Sequence, residues 1–245
     1  MSPTARSLFL LHLPANALLL WLGYKWLGMG EATFFEILWS AAVALVLLML
    51  VCWLYGATFV GFRYDAKYGV AGAFATALRN LFPLLVMVVG SVAMYSFLFW
   101  LTGHSFKPAA MLASWLTFHM RKPVQAETVL RSFNAIFWVV LQADLLPMFS
   151  AVAAHGWDGF GEFGWRCYSR FFRLEVPLLI MCVVWLPFLV LEWVPHVNGF
   201  DTEMTFFVLQ AGLAYLIFVV AMLLLAALTS RGKPAVSQFR TVPSR

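Results

Sequence analysis

The sequence predicts an all-α polytopic membrane protein with about six transmembrane helices. Three observations carry that prediction. Of 245 residues, 63% are hydrophobic and only 11% are charged, where a soluble domain carries about 25% charged residues. Mean hydropathy is +0.86. The apolar residues also gather into runs of about 20, enough to cross a hydrocarbon core of ~30 Å at 1.5 Å per residue. Lipid offers no partner to an open backbone, so each run is helical by default.

The first run, 8–27, follows Arg6, as the core of a signal peptide would. "ALLLWLGYKWLG" has no small-x-small cleavage site, and Trp21, Tyr24 and Trp26 form an interfacial belt. We therefore read it as a retained signal-anchor. The further spans are 35–60, 81–102, 128–154, 174–194 and 204–230. Between them lie two segments that mix aromatic rings with arginines, "FRYDAKYGVAGAFATALRN" (62–80) and "WDGFGEFGWRCYSRFFR" (157–173). Both fit interfacial helices or elbows, with rings at headgroup depth and Arg63, Lys67, Arg166 and Arg170 toward lipid headgroups. "KPAAMLASWLTFHM" (107–120) is apolar but too short to span, and reads as a third interfacial helix. Residues 1–230 make one transmembrane domain. The tail 231–245 has four basic and no acidic residues and is expected to be solvated or headgroup-bound.

Orientation follows from the basic residues. With the N-terminus in the cytoplasm, the inner segments hold Arg6, Arg63, Lys67, Arg79, Arg166, Arg170, Arg173, Arg231, Lys233, Arg240 and Arg245. The outer segments hold Lys25, Lys107, Arg121, Lys122 and Arg131. Both termini are thus expected in the cytoplasm of a cell, in a bacterial inner membrane. The loop 103–126, with "HMRKP" at 119–123, is the misfit.

A weak internal repeat relates "RNLFPLLVM" (79–87) to "RLEVPLLIM" (173–181). The copies share Arg, Pro, Leu, Leu and Met, each proline falling in a first helical turn. An even number of crossings separates them, so 79–102 and 173–194 would run parallel. The elbow followed by "ALRNLFPLL" resembles uncharacterised bacterial six-span membrane proteins, among them the membrane domain accompanying some glycerophosphodiester phosphodiesterases. The likeness covers about 56–100 and 150–195. It implies architecture only; no phosphodiesterase catalytic domain is present, so no catalytic residue carries over.

Chemistry-bearing motifs are sparse. Cys52, Cys167 and Cys182 form no C-x-x-C pair. Of His12, His104, His119, His155 and His196, only His12 lies within a span, which disfavours a two-histidine haem site. His155, Asp158 and Glu162 have helical spacing, but Gly156, Gly159, Gly161 and Gly164 interrupt it, which disfavours a metal site. H-E-x-x-H, G-x-S-x-G and P-loop patterns are absent. No catalytic, cofactor-binding or metal residue is assigned, and no cofactor is expected. The net charge of +5 follows from topology and the tail, and nucleic acid is not an expected partner.

One residue stands out. In "VLQADLLPM" (140–148), Asp144 lies inside the fourth span. An ionised carboxylate there costs about 2.5–3.5 kcal/mol on insertion scales, so it should face the bundle with a partner. Pro147, three residues on, removes a donor and frees the Ala143 carbonyl. Gln142 lies on a different face. Candidate partners are Arg79, Arg173, Tyr95, Gln210 and Ser91. The expectation is a non-catalytic accessory or structural subunit of a membrane complex, with lipids and other membrane subunits as partners. The alternatives are a small transporter or permease component using Asp144 at the Pro147 kink, and a lipid-acting membrane enzyme.

Overall fold

The computed structural model describes residues 3–30, 32–64, 69–162, 175–193 and 199–230. All regular structure among them is helical: α1 (Pro3–Leu27), α2 (Phe34–Arg63), α3 (Gly69–Arg79), α4 (Leu81–His104), α5 (Phe106–Met120), α6 (Ala126–His155), a 3-10 segment (Gly156–Glu162), α7 (Glu175–Glu192) and α8 (Phe200–Ser230). The chain is an all-α polytopic membrane protein. Among the described residues, five helical stretches are long and apolar enough to cross a bilayer: Arg6–Leu27, Phe34–Arg63, Leu81–His104, Ala126–Gly161 and Thr202–Ser230.

The fifth expected span, 174–194, is described over residues 175–193, where it forms α7. The 18 residues of α7 make about 27 Å, just under a hydrocarbon core of ~30 Å. Its apolar part is Pro177–Glu192. It packs chiefly on α8, and Ile180 and Val183 join Ala221 and Leu225 of α8 in one buried cluster.

The end of the bundle that carries Pro3 is called the N-terminal face below, and the opposite end the far face. At the far face α2 starts with a capping box. Glu36 N donates to Thr33 Oγ1 at 3.2 Å, and Glu36 Oε2 accepts from Thr33 N at 3.0 Å. This satisfies the orphan amide donors of a first turn.

At the N-terminal face α3 is a packed element and not a loose elbow. Ala73 and Ala77 are fully buried. Trp53 Nε1 donates to the Phe74 carbonyl at 2.9 Å, and the two rings meet edge to face at 5.4 Å. Trp53 lies well before the end of α2 at Arg63, so α3 folds back along the last turns of α2. Small residues permit that approach. A Cβ on Gly56 would lie 2.9 Å from Leu84 Cδ1 and 3.4 Å from the Ala77 Cβ. Here α2, α3, α4 and α6 converge, in a cluster that includes Cys52, Val60, Leu84, Leu145 and Val152.

The chain leaves α6 through Gly156, whose φ of +62° suits glycine. The 3-10 segment then doubles back onto α6 so closely that a Cβ on Gly159 would fall 2.5 Å from the Val152 nitrogen. The rest of the elbow foreseen at 157–173, residues 163–173, lies outside the described residues, as does the tail 231–245.

At the far face α5 and the start of α6 form a helical hairpin. Ala109 and Ala113 pack on Val129, and Val124 N donates to Thr117 Oγ1 at 2.9 Å. Thr102 Oγ1 donates to Asn134 Oδ1 at 2.6 Å, which ties the end of α4 to a point eight residues into α6 (134 − 126). The start of α6 therefore stands about 12 Å beyond the level of Thr102 at 1.5 Å per residue. Met111, Trp115 and Phe118 recur on its outer side, 74%, 55% and 82% exposed.

The repeat has a structural counterpart. Pro83 is the third residue of α4 and Pro177 the third residue of α7, and both helices run toward the far face. Both flank α6.

Candidate functional site

Three buried polar residues belong to a chain of hydrogen bonds that the sequence does not announce. His12, Asn16 and Thr58 are 1%, 5% and 1% exposed. Thr58 Oγ1 donates to the Leu54 carbonyl at 2.9 Å, so its lone pair is left to accept. His12 Nε2 lies 2.6 Å from that oxygen and must be the protonated nitrogen. Asn16 Nδ2 then donates to His12 Nδ1 at 3.1 Å, and Tyr55 OH donates to Asn16 Oδ1 at 3.0 Å. The hydrogen bonds fix one neutral tautomer of His12, with both ring nitrogens satisfied. Tyr215 of α8 reaches the Leu13 and His12 carbonyls, beside Pro14 of α1. One chain of hydrogen bonds thus joins α1 to α2, and Tyr215 adds α8. Histidine and asparagine at i and i+4 in the first apolar run, with tyrosine and threonine at i and i+3 in the second, are the signal that could have revealed it.

Around the foreseen site, α6 is helical without a break through Gln142, Asp144 and Pro147. The Pro147 side chain is buried. The Asp144 side chain lies outside the described residues. Gln142 Nε2 donates to Tyr95 OH, which joins α6 to α4. Gln210 Nε2 donates to the Trp193 carbonyl beyond α7, and Ser91 Oγ donates to Met87 in its own helix at 2.8 Å. Arg79 is exposed at the end of α3. Its neighbour Asn80 donates to the Ala153 carbonyl at 2.9 Å, nine residues along α6 from Asp144 (153 − 144). Arg173 lies outside the described residues, as do Lys67, Arg166 and Arg170; Arg63 ends α2, half-buried.

His196 lies outside the described residues. His104 Nδ1 and His119 Nδ1 each lie within 3 Å of a carbonyl four residues earlier, at 2.8 and 2.9 Å. His155 meets Tyr64 OH at 3.2 Å. Among the described residues no three His, Cys, Asp or Glu side chains gather as metal ligands would.

A cavity of about 820 Å³ lies in the far half of the bundle. Its wall runs from Tyr95 to Ser105 on α4, from Pro108 to Leu112 on α5, and from Leu130 to Val139 on α6, closed by Met181 and Trp185 of α7. The lining is mostly apolar, and its polar groups are Tyr95 at one end and Thr102, Ser105 and Asn134 nearer the other. The repeated helices α4 and α7 form its opposite sides.

No family model, curated protein or solved structure matches the chain.

Proposed function

We propose that this chain is a non-catalytic accessory subunit of a membrane assembly, resident in a cell membrane with its N-terminal face in the cytoplasm. The observation that carries the reading is how the bundle uses its polar side chains. His12 bonds Thr58, Gln142 bonds Tyr95, Asn134 bonds Thr102, and Gln210 bonds the Trp193 carbonyl. Each of these contacts links two segments and sets their register, as interhelical hydrogen bonds in lipid do. In the His12–Thr58 pair the hydroxyl proton is given to the Leu54 carbonyl and the imidazole N–H is the donor, so the imidazole is not placed to take that proton. The orientation rests on the basic residues at the ends of the spans.

A second reading, a small transport component, is favoured by the position of Pro147 inside α6, five residues past the Gln142–Tyr95 contact and three past Asp144. Intramembrane carboxylates mark ion and substrate paths in transporters, and Pro147, although α6 continues through it, leaves the Ala143 carbonyl without its helical donor. Asp144→Asn separates the two. The subunit reading expects normal membrane insertion with loss of a co-purifying assembly on a native gel. An intact assembly with lost solute flux would instead support transport and contradict the subunit reading.

A further inference from the structure

The geometry points to a lipid site at the far face: the groove between α4, α5, α6 and α7 takes a hydrocarbon chain of an anionic phospholipid, with its phosphate against the basic hairpin. This inference stands on its own, whichever function the chain serves.

The groove begins at Tyr95, one hydrogen bond from Gln142, and ends at Leu112 and Leu130 in the hairpin. Along α4 it runs seven residues from Tyr95 to Thr102 (102 − 95) and on to Ser105 just past the helix end, more than ~10 Å at 1.5 Å per residue, a large part of one leaflet. It therefore connects mid-membrane depth with the far surface, as one leaflet's lipid does. Its walls are side chains that match hydrocarbon, among them Leu98, Phe137, Trp138, Met181 and Trp185. Pockets with such linings and a few polar groups at one end hold chain-like ligands in a fixed direction. Here Thr102, Ser105 and Asn134 supply polar groups in the half of the groove nearer the far surface.

Charge identifies the class of headgroup. Residues 103–131 contain Lys107, Arg121, Lys122 and Arg131 against the single acid Glu127. Glu127 lies 4.0 Å from Arg131 in an exposed pair, which leaves three cations without that acid. Lys107 adjoins Pro108 of the lining and Arg131 adjoins Leu130. Lys107 adjoins the lining, and Arg121 and Lys122 lie further out at the turn of the hairpin, so this segment presents a net positive face to a lipid phosphate above the groove. That face also gives a reason for basic residues on the side where the orientation rule does not expect them.

The full-length protein in discs of equal phosphatidylglycerol and phosphatidylcholine, re-extracted gently and weighed by native mass spectrometry, tests this. One phosphatidylglycerol per chain should be retained, at least fivefold over phosphatidylcholine. Ala135→Phe, which puts a ring into the groove, should lose that lipid. Lys107→Gln, Arg121→Gln and Lys122→Gln together alter only exposed positions, and this variant should hold both lipids equally. Equal retention of the two lipids by the unaltered chain would overturn the inference. So would undiminished preference in the triple variant, or a lipid-free dimer sealing the groove.

Discussion

His12 of α1 donates through Nε2 to Thr58 of α2, 2.6 Å away, and neither side chain is more than 1% exposed. The pair sits beside Asn16 and Tyr55 in a chain that uses both imidazole nitrogens. Thr58→Val would leave a buried N–H without an acceptor, which costs ~1–3 kcal/mol. His12→Leu would strand the Asn16 amide instead. The double variant should be more stable than the sum of the two losses by ~0.6–1.7 kcal/mol, the coupling found for hydrogen bonds between membrane helices. Denaturation in mixed micelles measures the cycle; strict additivity would show that the pair carries no coupling.

The crowding at Gly56 makes a second prediction. An added methyl would stand 2.9 Å from Leu84 Cδ1, and Leu84 is fully buried and cannot swing away. Gly56→Ala should cost ~1–3 kcal/mol by overpacking. Combined with Leu84→Ala, the loss should be smaller than the sum of the two single losses, because the added methyl fills part of the vacated space. A thermal shift assay in detergent checks both; a neutral Gly56→Ala would mean that α2 and α4 pack less closely than described.

Gly159 is under a stricter limit. Its would-be Cβ meets backbone, 2.5 Å from the Val152 nitrogen and 2.6 Å from the Ala151 carbonyl carbon, so no rotamer relieves the clash. Gly159→Ala should force the 3-10 segment off α6. Limited proteolysis after residue 156 should accelerate by an order of magnitude or more, the change expected for ~1.4 kcal/mol or more of local destabilisation.

Much of this architecture was legible from apolar run length, because lipid imposes helices wherever about 20 apolar residues follow one another. The expected spans at 35–60 and 81–102 fall inside α2 and α4, with ends a few residues further out. Residues 107–120 do form a helix, α5. Less legible was what holds the helices together. Hydropathy sees His12 as one weak interruption and says nothing of Thr58, 46 positions away. Alanine and glycine score as mildly apolar, so Gly56, Ala73 and Ala77 gave no hint that α3 folds back onto α2. The groove was hidden for a related reason. Its walls come from four helices, and none of them carries a pattern distinct from an ordinary lipid-facing stripe.

The Gln142–Tyr95 contact gives a prediction about the neighbourhood of Asp144. Tyr95→Phe removes the acceptor and leaves the Gln142 amide half-buried in α6. A loss of ~0.6–2 kcal/mol is expected, and adding Gln142→Leu to the Tyr95→Phe variant should restore much of it. Unfolding midpoints of the two single variants and the double variant provide the check. Further destabilisation on adding Gln142→Leu would show that Gln142 has another partner.

Extraction of the chain from native membranes in a mild detergent, followed by native mass spectrometry, tests the central claim most directly. An accessory subunit should emerge with stoichiometric protein partners, in a species heavier than one chain with its lipids. A single chain under every gentle condition, with no associated protein, would contradict the account.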